Sequence, residues 1–259
     1  MRARHLLHGL SVALALTLVP AAIANTPAPG SVQGAPPISS VPPGTPPPGS
    51  VRLSDERGRT RWAHPEHAAV IREQPQPNAT PIGPLNLFTE DGFPEVYLLL
   101  RSWSDSEGHS WLQVRVPMRP NGRTGWVEAE ALGPARLVAT RLVVDRRRLR
   151  ATLHRRGRKV WRSRIGIGKR TTPTPQGRFW IRELVRPRNP RGSYGPLAFG
   201  TSAYSRLSEW PGGGVIGIHG TDQPKLIPGR PSHGCIRIPN PAIRKLARLM
   251  PIGTPVWIR

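Results

Sequence analysis

Residues 218–221 read IHGT and residues 232–237 read SHGCIR. The second stretch holds Cys235, the one cysteine of a 259-residue chain. It lies in a turn of small residues, between a Pro/Gly-rich loop at 228–231 and a short apolar run that starts at Ile236. An inert core thiol is ordinarily surrounded by aliphatic side chains, whereas Ser232, His233 and Gly234 precede this one. A nucleophile needs such exposure. It also needs backbone N–H groups free to face a developing oxyanion, and an adjacent glycine lets the backbone turn that way. A thiol of pKa about 8.5 is only a few per cent ionised at neutral pH, so a base must take its proton.

Two imidazoles are at hand. His219 ends the apolar run 215–218, a rigid place to hold a base. His233 is two residues from Cys235; an extended backbone would put both side chains on one face, and a turn would swing them apart. The residues by themselves leave the choice open. One Cys and two His plus a water could also make a zinc site. The spacing 219, 233, 235 corresponds to no familiar zinc pattern, and only four Asp/Glu against 27 Lys/Arg occur from residue 136 onward to orient such ligands. No metal and no cofactor is expected.

Working outward, 137–144 and 149–153 are apolar runs on either side of the basic turn 145–148. Further runs at 159–168, 177–181, 215–218 and 255–258 read as strands. Asn240-Pro241 reads as an N-cap followed by proline at the first helical position, with the helix running to about Met250 and Ile243, Leu246, Ala247 and Met250 on one face. This part is mostly β with one clear helix.

The combined motif resembles the signature of the L,D-transpeptidase (YkuD-type) catalytic domain, over roughly residues 136–259. The resemblance is carried by HGT at 219–221, SHGCIR at 232–237, TPTPQGRF at 172–179, Tyr194-Gly195-Pro196 with Phe199, and GTPVWI at 253–258. Some family members carry Asn where this chain has Arg237, and Arg also occurs there. The resemblance implies Cys235 as the nucleophile that attacks a peptidoglycan stem peptide after its third residue, with His219 as its base. It implies the Gly220 carbonyl as the group that orients the imidazole, and backbone N–H groups at His233, Gly234 and Cys235 as the oxyanion hole. Ser232 and His233 would shape the pocket, and Arg237 would bind a substrate carboxylate, since guanidinium forks fit that geometry. An amine from a neighbouring stem would resolve the thioester into a 3→3 cross-link. Two other outcomes stay open: a carboxypeptidase or hydrolase on the same scaffold, and a non-catalytic wall-binding protein.

Residues 51–135 form a separate unit of short apolar runs at 68–71, 96–100, 111–116 and 125–127, broken by turns such as Pro120-Asn121-Gly122. The alternation in Trp111–Val116 reads as a half-buried strand, and Asn-Gly before Thr124–Val127 as a hairpin signal. The run WLQVRV…GRTGWV resembles the end of a bacterial SH3-like domain, which implies a small β-barrel, either a spacer or a wall-binding module. The expected fold is therefore mostly β, an SH3-like barrel followed by a YkuD-type β-rich catalytic domain.

The N-terminal residues set the compartment. Arg2 and Arg4, the apolar stretch 10–19 and Ala22-Ile23-Ala24 make a signal peptide over 1–24, too short to span a bilayer comfortably. Residues 25–50 contain nine prolines and read as an extended linker. The expectation is a secreted protein of the periplasm or cell wall, with no stable membrane span after cleavage. Charge is uneven: 11 Lys/Arg balance 11 Asp/Glu up to residue 135, and the whole net charge of +23 lies beyond it. Such a basic half attracts polyanions. A secreted protein seldom meets nucleic acid, so anionic wall polymers or anionic lipid are the better-suited partners of the basic half, beside the stem peptides.

Overall fold

The computed structural model describes residues 45–209 and 211–259, all within one compact unit. The expected signal peptide and the linker up to Gly44 lie outside the described residues. Two sheets carry the fold. The first comprises β1 (Val51–Arg52), β2 (Thr60–Ala63), β3 (Val70–Arg72), β4 (Pro81–Pro84), β5 (Tyr97–Ser104), β6 (Ser110–Arg115), β7 (Thr124–Glu128) and β8 (Arg136–Val138). Its order is β4-β3-β7-β6-β5-β2-β8, with β1 also on β5. β4 and β8 each have one neighbour, so these strands do not close into the hydrogen-bonded ring that a barrel suggests. The Asn-Gly signal lies in the β6–β7 hairpin, where Arg115 pairs with Thr124.

The second sheet comprises β9 (Thr140–Asp145), β10 (Arg150–Arg155), β11 (Arg158–Arg164), β12 (Gly166–Gly168), β13 (Gly177–Val185), β14 (Ala198–Tyr204), β15 (Val215–His219), β16 (Gly229–Ser232), β17 (Ile236–Arg237) and β18 (Pro255–Ile258). Its order is β11-β10-β9-β18-β13-β14-β15-β17-β12-β16. Two expected strands are each divided. The run 137–144 breaks at Ala139: Val138 pairs with Thr60 in the first sheet, and Leu142 with Val256 in the second. The run 159–168 breaks at Ile165, where an edge strand gives way to β12 beside the candidate site. A continuous apolar run shows burial but not where the pairing partner changes.

The helix α1 spans Asn240–Ala247, shorter than expected, and packs buried Ile243 and Leu246 onto the second sheet's core. Asn240 is its first residue and not its cap. Its Oδ1 instead accepts a hydrogen bond from Thr221 N at 2.8 Å, which ties the helix to the loop after β15.

The two sheets share buried structure. Trp62, Val96, Leu98, Val138 and Trp180 form one apolar cluster drawn from both, and Trp180 Nε1 donates to Val96 O at 2.7 Å. Beside it, Arg182 of β13 forms ion pairs with Glu95 and, at 2.9 Å, with Glu90. Asn121 Nδ2 donates to Tyr204 O at 2.8 Å, and Tyr204 N donates back to Asn121 Oδ1 at 2.9 Å. A buried Trp contributes about 1.5–3 kcal/mol or more by area, so this seam acts as interior and not as a hinge.

Candidate active site

The site is assembled where β15 and β17 run in parallel, with Ile218 beside Ile236 and His219 beside Arg237. Cys235 precedes β17 by one residue and so arrives next to the strand that ends in His219. The imidazole is buried at 4% exposure, and the thiol is half-buried. A Cβ placed on Gly217 would lie 3.6 Å from His219 Cδ2 and 3.8 Å from Cys235 Sγ, so both side chains converge over the same glycine. Gly217 N–H also donates to Sγ at 3.3 Å.

His219 Nδ1 lies 2.6 Å from the Gly220 carbonyl. A carbonyl only accepts, so Nδ1 carries the proton in that bond. The neutral ring then presents Nε2 as an acceptor on the edge that Cδ2 shares. Burial drives the imidazole pKa down to about 4, against the opposing pull of the Gly220 bond. Burial also pushes the thiol pKa up, partly offset by the Gly217 N–H and the Arg237 charge. Both shifts favour a neutral thiol and a neutral imidazole at rest.

The turn before Cys235 is held by its own side chains. Gly234 adopts φ +137, a conformation that disfavours L side chains, and a Cβ there would meet Ile216 Cδ1 at 2.7 Å. Gly234 N donates to Ser232 Oγ at 3.1 Å, and Ser232 Oγ donates to Cys235 O at 2.6 Å. These bonds bear on two expected roles. The Gly234 N–H is engaged within the turn. Ser232, 2% exposed, spends its hydroxyl on the loop, in keeping with a part in shaping the pocket. Thr174 Oγ1 donates to Gly234 O at 2.6 Å and accepts Gly168 N–H at 3.0 Å, linking the TPTPQGRF segment to the same turn.

His233 is exposed and lines a cavity of about 280 Å³ together with His219, Cys235 and Arg237. Arg237 NH1 donates to Gln223 Oε1 at 3.1 Å, while its Nε is buried with no partner among the described residues. A buried donor left unsatisfied is costly. The Tyr194 ring packs against His219 at 4.8 Å between centroids. The sequence placed Tyr194 in a motif but assigned it no role, and it gave no signal at all for Gly217, which sits inside an ordinary strand run.

His219 also sets a pH dependence of stability. Its folded pKa, about 4, lies below the ordinary 6.5, so the unfolded chain takes the proton first as the pH falls. Stability from this group is complete above about pH 6.5 and is lost progressively toward about pH 4. In thermal melts across that window, His219→Gln is expected to show a shallower fall than the natural chain. Equal slopes would mean that His219 titrates normally in the fold.

Residues 139–258 match the YkuD family, described as the L,D-transpeptidase catalytic domain. The chain is 38% identical over 94 residues to YkuD of Bacillus subtilis (strain 168), covering 36% of this chain and 50% of that protein. It is 37% identical over 106 residues to YkuD of Bacillus licheniformis, covering 41% and 57% respectively. The chain thus spans about half the length of these curated relatives. The crystal structure of a mutant Enterococcus faecium L,D-transpeptidase superposes with a TM-score of 0.38 and 26% identity, over 46% of this chain and 49% of that one. That score is too low to carry the assignment, which rests on the family and sequence matches. Residues 139–258 are an L,D-transpeptidase catalytic domain of the YkuD family.

Proposed function

We propose that the protein is a peptidoglycan L,D-transpeptidase that works through a Cys235 thioester. The observation that carries this reading is the convergence of Cys235 and His219 over Gly217, with Nδ1 engaged by the Gly220 carbonyl and Nε2 left as the acceptor. Sγ attacks the carbonyl carbon after the third stem residue while His219 Nε2 takes the thiol proton. The C–N bond then breaks, and His219 returns that proton to the departing D-alanine amine. The free end of the donor carries a carboxylate, and the positively charged Arg237 lining the cavity suits it. With Gly234 N–H engaged, the backbone N–H groups of His233 and Cys235 remain the candidates to face the oxyanion. An amine then displaces sulfur and leaves a 3→3 cross-link.

The test is intact-mass spectrometry after incubation with a disaccharide-tetrapeptide and, separately, with a carbapenem, whose strained amide acylates thiols. A stable mass gain is expected with the carbapenem, and cross-linked dimer with the tetrapeptide. Hydrolysed tripeptide without dimer would favour the carboxypeptidase reading. No adduct from folded, reduced protein would favour a non-catalytic wall-binding protein.

The choice of base has its own test. His219→Ala is expected to slow acylation by roughly 10²–10⁴-fold. His233→Gln should cost less than about tenfold, since that ring is exposed. The reverse order in pre-steady-state acylation would make His233 the base.

A leader at 1–24 would deliver the protein to the periplasm or cell wall. Arg146, Arg147, Arg148, Arg230 and Arg259 surround one open surface cavity, which supports contact with anionic wall polymers.

A further inference from the structure

Cys235 stands between two cavities of opposite charge. The first, about 280 Å³, holds His219, His233 and Arg237. The second, about 310 Å³, has Glu90, Asp91 and Glu183 as its charged lining residues, every one acidic. Only four acidic residues occur from position 136 onward, so composition alone does not place three carboxylates beside the thiol. Two of the three come from the preceding β-unit.

The second cavity has a built floor. Glu183 of β13 pairs with Gly200 of β14, and Gly200 pairs with Gly217 of β15. Directly paired residues in antiparallel strands project to the same face, with Cβ positions about 5 Å apart. The Glu183 side chain lies over Gly200, where a Cβ would meet its Oε1 at 2.1 Å and its Cδ at 2.7 Å. Cys235 Sγ lies over Gly217. Gly200 leaves room for the Glu183 carboxylate and Gly217 for the thiol, so the two groups sit on neighbouring positions of one face and line one trough.

Glu183 is 3% exposed and poorly satisfied. Thr89 Oγ1 donates to its Oε2, and its Oε1 has no hydrogen-bond partner among the described residues. Burial raises its pKa to about 7, with Asp91 and Glu90 adding to the effect. Glu90 is largely committed elsewhere, with Oε2 on Arg182 at 2.9 Å and Oε1 accepting from Tyr204 OH at 2.5 Å. The carboxyls without a cation in ion-pair contact are thus Glu183, which readily takes a proton near neutral pH, and exposed Asp91. A buried carboxylate with a free oxygen facing an open trough is stabilised by a cation placed there.

We propose that this trough is the entry site for the amine acceptor, a primary ammonium held by Glu183 with Asp91 at the mouth, across the thiol from the Arg237 side. The proposal rests on the thioester reading above and adds the residues that choose amine over water. In the resolving step the ammonium first gives one proton to the Glu183 carboxylate or to solvent. The neutral nitrogen then attacks the thioester carbonyl, the C–N bond forms, the C–S bond breaks, and the second nitrogen proton passes through His219 to the thiolate. Glu183 here is a positioning and specificity residue; the covalent chemistry stays with Cys235 and His219.

The experiment measures how the acyl-enzyme partitions between amide and hydrolysed product, per acyl-enzyme formed. The full chain is acylated with a tetrapeptide donor and offered a tripeptide stem ending in lysine, or hydroxylamine, which is uncharged at neutral pH. Glu183→Gln is expected to lower the amide-to-hydrolysis ratio with the lysine stem by about tenfold, the size of one lost charge-assisted hydrogen bond. Asp91→Asn should lower it by about threefold, as a screened surface charge. With hydroxylamine neither ratio should move beyond about twofold. An equal fall with both acceptors would reduce Glu183 to a structural role and overturn the proposal, as would unchanged ratios in both variants. If Glu183→Gln gives no folded acyl-enzyme, Asp91→Asn decides, because its side chain is exposed and outside the buried network. If the natural chain itself forms no acyl-enzyme, the thioester reading fails and takes this proposal with it, a result distinct from acylation without amine preference.

Discussion

Cys235→Ala is expected to remove every covalent adduct, with no mass gain from tetrapeptide or carbapenem and turnover lower by about 10⁴-fold or more. The size follows from the role. Covalent catalysis divides one hard displacement into two easier ones, and no other thiol in the chain can take over. The fold should hold. Cys235 is half-buried and its thiol makes one weak hydrogen bond, from Gly217 N–H, so the melting temperature should move by only a few degrees, about the cost of 1 kcal/mol. Cys235→Ser is the informative companion. It keeps the size and a hydroxyl acceptor for the Gly217 N–H, but an alcohol beside an imidazole of depressed pKa is hard to activate, so acylation should stay close to that of Cys235→Ala. Adduct formation in Cys235→Ala would place the nucleophile elsewhere.

Glu95→Ala should give the largest loss of stability, about 3–5 kcal/mol, although Glu95 lies outside the catalytic family match. Glu95 is fully buried, and Arg182 is 3% exposed. Glu95 Oε1 accepts from Arg182 Nε and from Val96 N, each at 2.8 Å, and Oε2 pairs with Arg182 NH2. Deleting the carboxylate leaves a guanidinium, which cannot lose its proton, in the seam between the sheets with Glu90 as its remaining anion. Denaturant melts should show the loss directly, and the melting temperature should fall by roughly 10 °C. Glu95→Gln should fall between the two, since an amide oxygen still accepts from the guanidinium but carries no charge. A change below about 1 kcal/mol in Glu95→Ala would mean that water reaches Arg182 once the partner is gone.

The chemistry of the site was legible because it is local. IHGT and SHGCIR name a lone thiol, two imidazoles and the glycines around them, and short-range patterns placed His219 at a strand end and a helix after Asn240. The base was not decided by the residues themselves. It is a geometric question: the parallel pairing of β15 with β17 and the bond from Nδ1 to the Gly220 carbonyl favour His219, and the acylation rates of the His219 and His233 variants test it. The turn was harder to read. Nothing in the order Ser232-His233-Gly234-Cys235 says that Gly234 N–H faces Ser232 Oγ and not a substrate, because that depends on torsion angles.

The sequence by itself determined the candidate reactive groups, the β-rich character, the family match of residues 139–258 and the placement of excess positive charge after residue 135. Only the tertiary structure decided that the unit before residue 136 shares a buried seam with the catalytic sheet, and that Glu183, Gly200 and Gly217 form a row leading to Cys235. The physical reason is range. Hydrophobic periodicity and turn chemistry act over a few residues and leave their mark in order along the chain. The partner of Arg182 lies 87 residues away, and the charge of a cavity is a sum over segments that only the folded chain brings together.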